Sequence, residues 1–73
     1  MSEITAIENF SAYKAVDATN NAADRNNQGI MYMEMGQFAP AIQEFKIAIS
    51  LSPNSPASST YYNNLGLAYM KLG

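Results

Sequence analysis

Cysteine and histidine are both absent from the 73-residue sequence. Without cysteine there is no disulfide framework to brace a small fold. Without histidine the usual zinc ligand sets and most general-base chemistry are excluded. Charge is scarce as well: four basic and six acidic side chains make up 14% of the chain, against about a quarter in ordinary globular domains. The net charge of −2 offers no basic patch, the first requirement of a nucleic-acid binder. No apolar run approaches the roughly 18 residues of a membrane-spanning helix. No basic segment precedes an apolar stretch near the start, so no signal peptide is expected and the cytoplasm is the expected compartment. There is no glycine-rich phosphate loop. Asp17 and Asp24 lie seven positions apart across an expected turn, and Glu3 and Glu8 fall on an expected helix surface. Such carboxylates read as solvated faces, so neither catalysis, metal binding nor a cofactor is expected.

Asparagine takes up part of the room left by charge, with eight copies. Acids crowd forward: residues 1–36 sum to −3 (five acids, two bases) and residues 37–73 to +1 (one acid, two lysines). A chain of this length buries only about 60% of its unfolded surface. With disulfides and metals excluded, regular helix packing and self-association remain as supports.

The sequence repeats itself. Residues 26–36, Asn-Asn-Gln-Gly-Ile-Met-Tyr-Met-Glu-Met-Gly, align with residues 63–73, Asn-Asn-Leu-Gly-Leu-Ala-Tyr-Met-Lys-Leu-Gly, with six of eleven positions identical at a spacing of 37. A second unit repeats at a spacing of 35: Ala6-Ile7-Glu8-Asn9-Phe10 against Ala41-Ile42-Gln43-Glu44-Phe45. The two units alternate along the chain, the sequence signature of a helical array.

Local signals predict four helices and no strand. Ser2 is a candidate N-cap for a helix over about 3–18, whose Ile4, Ile7, Phe10 and Tyr13 form one stripe. The Asn-rich stretch 17–21 reads as a turn. A second helix spans about 22–35 and stops at Gly36. The third runs about 39–51, with Pro40 in a first turn that tolerates it and Ala41, Ile42, Phe45, Ala48 and Ile49 facing inward. Ser52-Pro53-Asn54-Ser55-Pro56 breaks the chain, and Ser58 or Ser59 is the candidate cap of a fourth helix carrying Tyr62, Leu65, Gly66, Tyr69 and Leu72.

The spaced set Gly29-x2-Tyr32-x8-Ala41-x3-Phe45-x2-Ala48-x4-Pro53 resembles the tetratricopeptide repeat, and Tyr62-x2-Leu65-Gly66-x2-Tyr69 resembles the first half of the next repeat. Each residue type has a mechanical reason. Gly29 and Ala41 are small where antiparallel helices approach. Tyr32, Phe45 and Tyr69 supply buried area. Ala48 is small where the next repeat's first helix crosses, and Pro53 stops the second helix. The sequence departs from the pattern at Arg25 and Gln28, where the family carries a large aromatic and a leucine. It also departs in a Pro53–Gly66 loop about three residues longer than usual.

The resemblance implies an all-α fold: antiparallel helix pairs in a short right-handed superhelix, forming one domain over 1–73. Residues 22–53 are the full repeat, 57–73 the first helix of a further repeat, and 3–18 either a half-repeat or a capping helix. It also implies a concave groove lined by first helices, which binds a peptide or partner helix. Carried over by position, Ala23, Asn26, Ile30, Met33 and Glu34 from one repeat and Thr60, Asn63, Leu67, Met70 and Lys71 from the next line that groove, with Asn26, Ile30, Met33, Asn63, Leu67 and Met70 as the candidate binding residues. Asn27 and Asn64 match the asparagine of the family's carboxylate clamp, but Asn26 and Ile30 replace the partners that complete it. A neutral or apolar ligand therefore fits better. The expected partners are a protein or peptide, not nucleic acid or membrane. Leu65, Ala68, Tyr69 and Leu72 leave an apolar face open at one end, and Ile7 and Phe10 offer a matching face at the other. These predict self-association, most simply as a dimer, unless the chain is part of a longer array.

Overall fold

The computed structural model describes residues 21–73, and within them the protein is entirely helical. Helix α1 is described over 21–34, α2 spans Phe38–Leu51 and α3 spans Ser58–Leu72. The predicted first helix over 3–18, with Ile7 and Phe10, lies outside the described residues. Three of the four expected helices are therefore accounted for.

Gly36 ends α1 as expected. Its φ of +75° lies in the left-handed region where a side chain costs about 1–2 kcal/mol. The Gly36 N–H donates to the Met33 carbonyl at 3.0 Å and the Gln37 N–H to the Tyr32 carbonyl at 2.8 Å. This crossed pair is a Schellman closure, and it satisfies two carbonyls that the helix end leaves free. The chain then turns back at once into α2. Pro40 is the third residue of α2, where its missing N–H would have had no helical partner. Helix α2 stops at Leu51, and Ser52 takes an extended φ of −145°, as the residue before a proline is biased to do.

The start of α3 differs from expectation. Its N-cap is Ala57, with no side-chain cap bond. The Ser58 hydroxyl donates back to the Ser55 carbonyl at 2.8 Å and the Ser59 hydroxyl to the Pro56 carbonyl at 3.3 Å. Both serines are inside the helix rather than at its mouth, because the 52–57 turn is itself coiled and already supplies carbonyls to them.

One side of α2 carries the core. Ala41, Ile42, Phe45 and Ala48 are buried, at helical spacing, and Phe45 is the one large side chain among the described residues that is completely enclosed. Gly29 lets α1 approach it: a Cβ on Gly29 would sit 2.5 Å from Phe45 Cε1. Ala68 of α3 closes the same cluster from the other side, with Tyr32, Met33 and Leu65 packed around it. A second cluster joins Ala22 of α1, Ala48 of α2 and Tyr61 of α3. Thus α2 runs antiparallel to both neighbours, and small residues stand in both core clusters: Ala41 and Ala68 in the first, with Gly29 against its Phe45, and Ala22 and Ala48 in the second.

The inward face of α3 is turned relative to the sequence reading. Tyr61, Leu65 and Ala68 face the core, with Tyr61 and Ala68 buried. Tyr62 is 56%, Tyr69 46% and Leu72 54% exposed. Tyr69 is therefore not the buried counterpart of Tyr32, and Ala68 is part of the core rather than of an open face. The reason is that α3 has two apolar stripes. One packs on the preceding α2. The other, Tyr62–Gly66–Tyr69, matches the side through which α1 receives α2, and no described element covers it.

Candidate groove between the first and third helices

Helices α1 and α3 lie side by side on the same edge of α2. A hydrogen bond fixes their register: Asn64 Nδ2 donates to Asn26 Oδ1 at 2.8 Å. Asn26 is only 8% exposed, so the bond is made in a partly desolvated setting where an unpaired amide is costly. Replacing Asn64 with alanine is expected to cost about 1–3 kcal/mol, because Asn26 keeps its buried carbonyl without a donor. Replacing both asparagines with leucine is expected to cost less than that single change. A double-mutant cycle by urea unfolding measures the difference.

Next to this bond, with Asn64 in its lining, lies a cavity of about 440 Å³ between the two helices. Ile30 and Met33 form one wall, Leu67 the other, and the rings of Phe38 and Phe45 meet it from α2. Ile30 is 37% and Leu67 43% exposed, so the walls are apolar and reachable from solvent. Glu34 and Lys71 stand at its edge with opposite charges. The volume is at the small end of ligand sites. It suits a few side chains of a peptide rather than a large cofactor.

The six residues assigned to the groove from sequence therefore divide. Ile30, Met33 and Leu67 share the cavity. Asn26 lies inside the helix–helix contact, where it sets spacing rather than meeting solvent. Asn63 and Met70 line a different depression of about 460 Å³, formed with Tyr62, Gly66 and Leu67. Leu67 belongs to both. Of the self-association residues, Leu65 packs against the core, while Tyr69 and Leu72 are exposed as described. The floor residues Phe38 and Phe45 were missed as groove elements. The signal for Phe38 was present in the Gly36 stop, because a tight left-handed turn brings the first residues of the next helix back beside the end of α1.

Arg25, one of the departures from the repeat pattern, makes an ion pair with Glu44 of α2 at 3.2 Å. Its side chain is 44% exposed, so the pair contributes about 1 kcal/mol or less. It replaces a large aromatic contact with a polar one on the outer side of the α1–α2 pair. Lys46 of α2 lies 5.9 Å from the Tyr69 ring centroid, at the outer limit of a cation–π contact. Among the described residues there is no cluster of acidic side chains able to hold a metal ion. No described helix is long and apolar enough to cross a membrane.

Two antiparallel helices joined by a glycine-stopped turn, with a third laid on the second through small residues, define a helical-repeat protein. Residues 29–73 match the family model described as TPR repeat. The chain belongs to the tetratricopeptide repeat family. Repeats of this family are generally protein–protein interaction modules and typically non-catalytic. No curated protein and no solved structure matches the chain.

Proposed function

We propose that this protein is a non-catalytic binding module that holds a short apolar peptide segment or partner helix between α1 and α3. The carrying observation is the reachable apolar cavity walled by Ile30, Met33 and Leu67 and floored by Phe38 and Phe45. Its walls are fixed in position by the packed helices and by the Asn26–Asn64 bond, so little ordering is needed on binding. The opposite charges of Glu34 and Lys71 at the rim favour a ligand without strong net charge.

The test begins with peptides selected against the full chain from a random display library, then measured by calorimetry. Leu67→Glu and Met33→Glu are expected to weaken a selected peptide at least about tenfold, since each places a charge in the apolar wall (about 1.4 kcal/mol per tenfold). Helical circular dichroism should be unchanged for Leu67→Glu, whose position is 43% exposed. Met33 also packs on the core, so Leu67→Glu decides if the Met33 variant loses helical signal. Selected peptides that bind equally well to both variants would remove the groove from consideration.

A second reading is self-association through the uncovered stripe of α3. Tyr62, Tyr69, Met70 and Leu72 are each close to half exposed or more, and a contiguous apolar patch of this kind marks a contact surface.

A further inference from the structure

The two glycines at a spacing of 37 occupy equivalent places on α1 and α3, yet their surroundings differ. Gly29 is covered by Phe45, whose ring atoms would stand 2.5–2.8 Å from an added Cβ. Gly66 has no described atom within 4 Å of the same position. Around it, Tyr62, Asn63, Leu67 and Met70 form an open depression. The helix that seats an aromatic on Gly29 does so with the sequence Ala41-Ile42-x-x-Phe45, of which Ala41 and Phe45 are fully buried and Ile42 nearly so. The chain contains that pattern once more, as Ala6-Ile7-x-x-Phe10. Among the described residues the Gly66 seat is open, and each copy carries the aromatic pattern a second time at residues 6–10.

We propose that residues 6–10 of a second copy dock on α3, with Phe10 seated on Gly66 as Phe45 is seated on Gly29. This deepens the self-association reading and rests on it. The order along the chain supports a second copy as the occupant. Phe45 is followed 21 residues later by the glycine of the next first-type helix, Gly66, and Phe10 is followed 19 residues later by Gly29. A docked 6–10 segment is therefore continued by its own α1 much as α2 is continued by α3, and the array runs on from one copy into the next. The two surfaces are different, so the contact is head-to-tail. It propagates into chains of molecules unless the rotation closes a ring.

The full chain is examined by sedimentation equilibrium at concentrations about a hundredfold apart, where mass action shifts any association. The wild type is expected to rise above the mass of one chain as concentration increases. Gly66→Leu, which fills the seat, and Phe10→Ala, which removes the occupant, are each expected to stay at the mass of one chain with helical circular dichroism retained. The Gly66→Leu chain keeps a functional Phe10, and the Phe10→Ala chain keeps an open Gly66. Their mixture is expected to form a complex of two chains and no larger. If Phe10→Ala loses its helical signal, Gly66→Leu alone decides. A wild type that stays at one chain's mass throughout overturns self-association and this contact together, including the case where residues 6–10 fill the seat within their own chain. A wild type that associates while Gly66→Leu associates equally well leaves self-association standing and overturns the Phe10–Gly66 contact. A mixture that stays at one chain's mass overturns the head-to-tail arrangement.

Discussion

Phe45→Ala is expected to lower stability by about 3–5 kcal/mol, the range for emptying a buried aromatic site. The ring is fully enclosed and belongs to the cluster that includes Ala41, Ile42 and Ala68, with Gly29 directly against it. Several of its neighbours, Gly29, Ala41 and Ala68, have no further atoms with which to fill the space it leaves. Collapse would require whole helices to move. A chain of this length has roughly 4–11 kcal/mol of stability to lose, so the substitution removes a large share of it. Urea titration followed by circular dichroism measures the loss. A change below about 1 kcal/mol would mean that the three helices are not held through this ring.

The second large effect is a pair of opposite signs. Gly29→Val is expected to destabilise by about 1–3 kcal/mol through overpacking. The new Cβ would overlap three carbons of the Phe45 ring, so either the ring or the helix must shift. Gly66→Ala is expected to stabilise by about 0.5–1 kcal/mol, because its Cβ meets nothing among the described residues and alanine restricts the unfolded chain. Both substitutions are compared by thermal melts at low concentration, where association does not contribute. Equal effects at the two sites would show that the glycines are interchangeable and that Phe45 yields readily. The comparison is informative because local sequence around the two positions is nearly the same: Asn-Asn-x-Gly precedes the Tyr-Met pair in both.

The inward and outward faces of α3 show where sequence patterning ran short. Tyr61, Tyr62, Leu65, Ala68, Tyr69 and Leu72 form one broad apolar face, spread over about 120° of the helix at 3.6 residues per turn. Periodicity cannot decide which stripe packs on α2 and which waits for another element. The structure chooses Tyr61–Leu65–Ala68 because alanine fits the narrow gap beside Ile42 and Phe45, while Tyr69 would not. The groove was legible at Ile30, Met33 and Leu67, and less so at Asn26. An asparagine at a groove-lining position looks the same in sequence whether it meets a ligand or a neighbouring helix. Here its carbonyl is taken by Asn64, and the two stretches of paired asparagines meet one position out of register.

The sequence by itself determined the three described helices, the stops of α1 and α2, and the family. Helical spacing of alanine, isoleucine and phenylalanine, a glycine stop at 36 and proline punctuation at 40 and 53 are local signals, and each acts through backbone geometry within a few residues. Only the tertiary structure decided which glycine is a filled seat and which an open one. Gly29 and Gly66 are chemically the same residue in repeated surroundings, and what separates them is the presence of Phe45 across a helix–helix contact. Whether a side chain is core or interface depends on what lies opposite, and that is set by how whole helices stack rather than by the order of residues along any one of them.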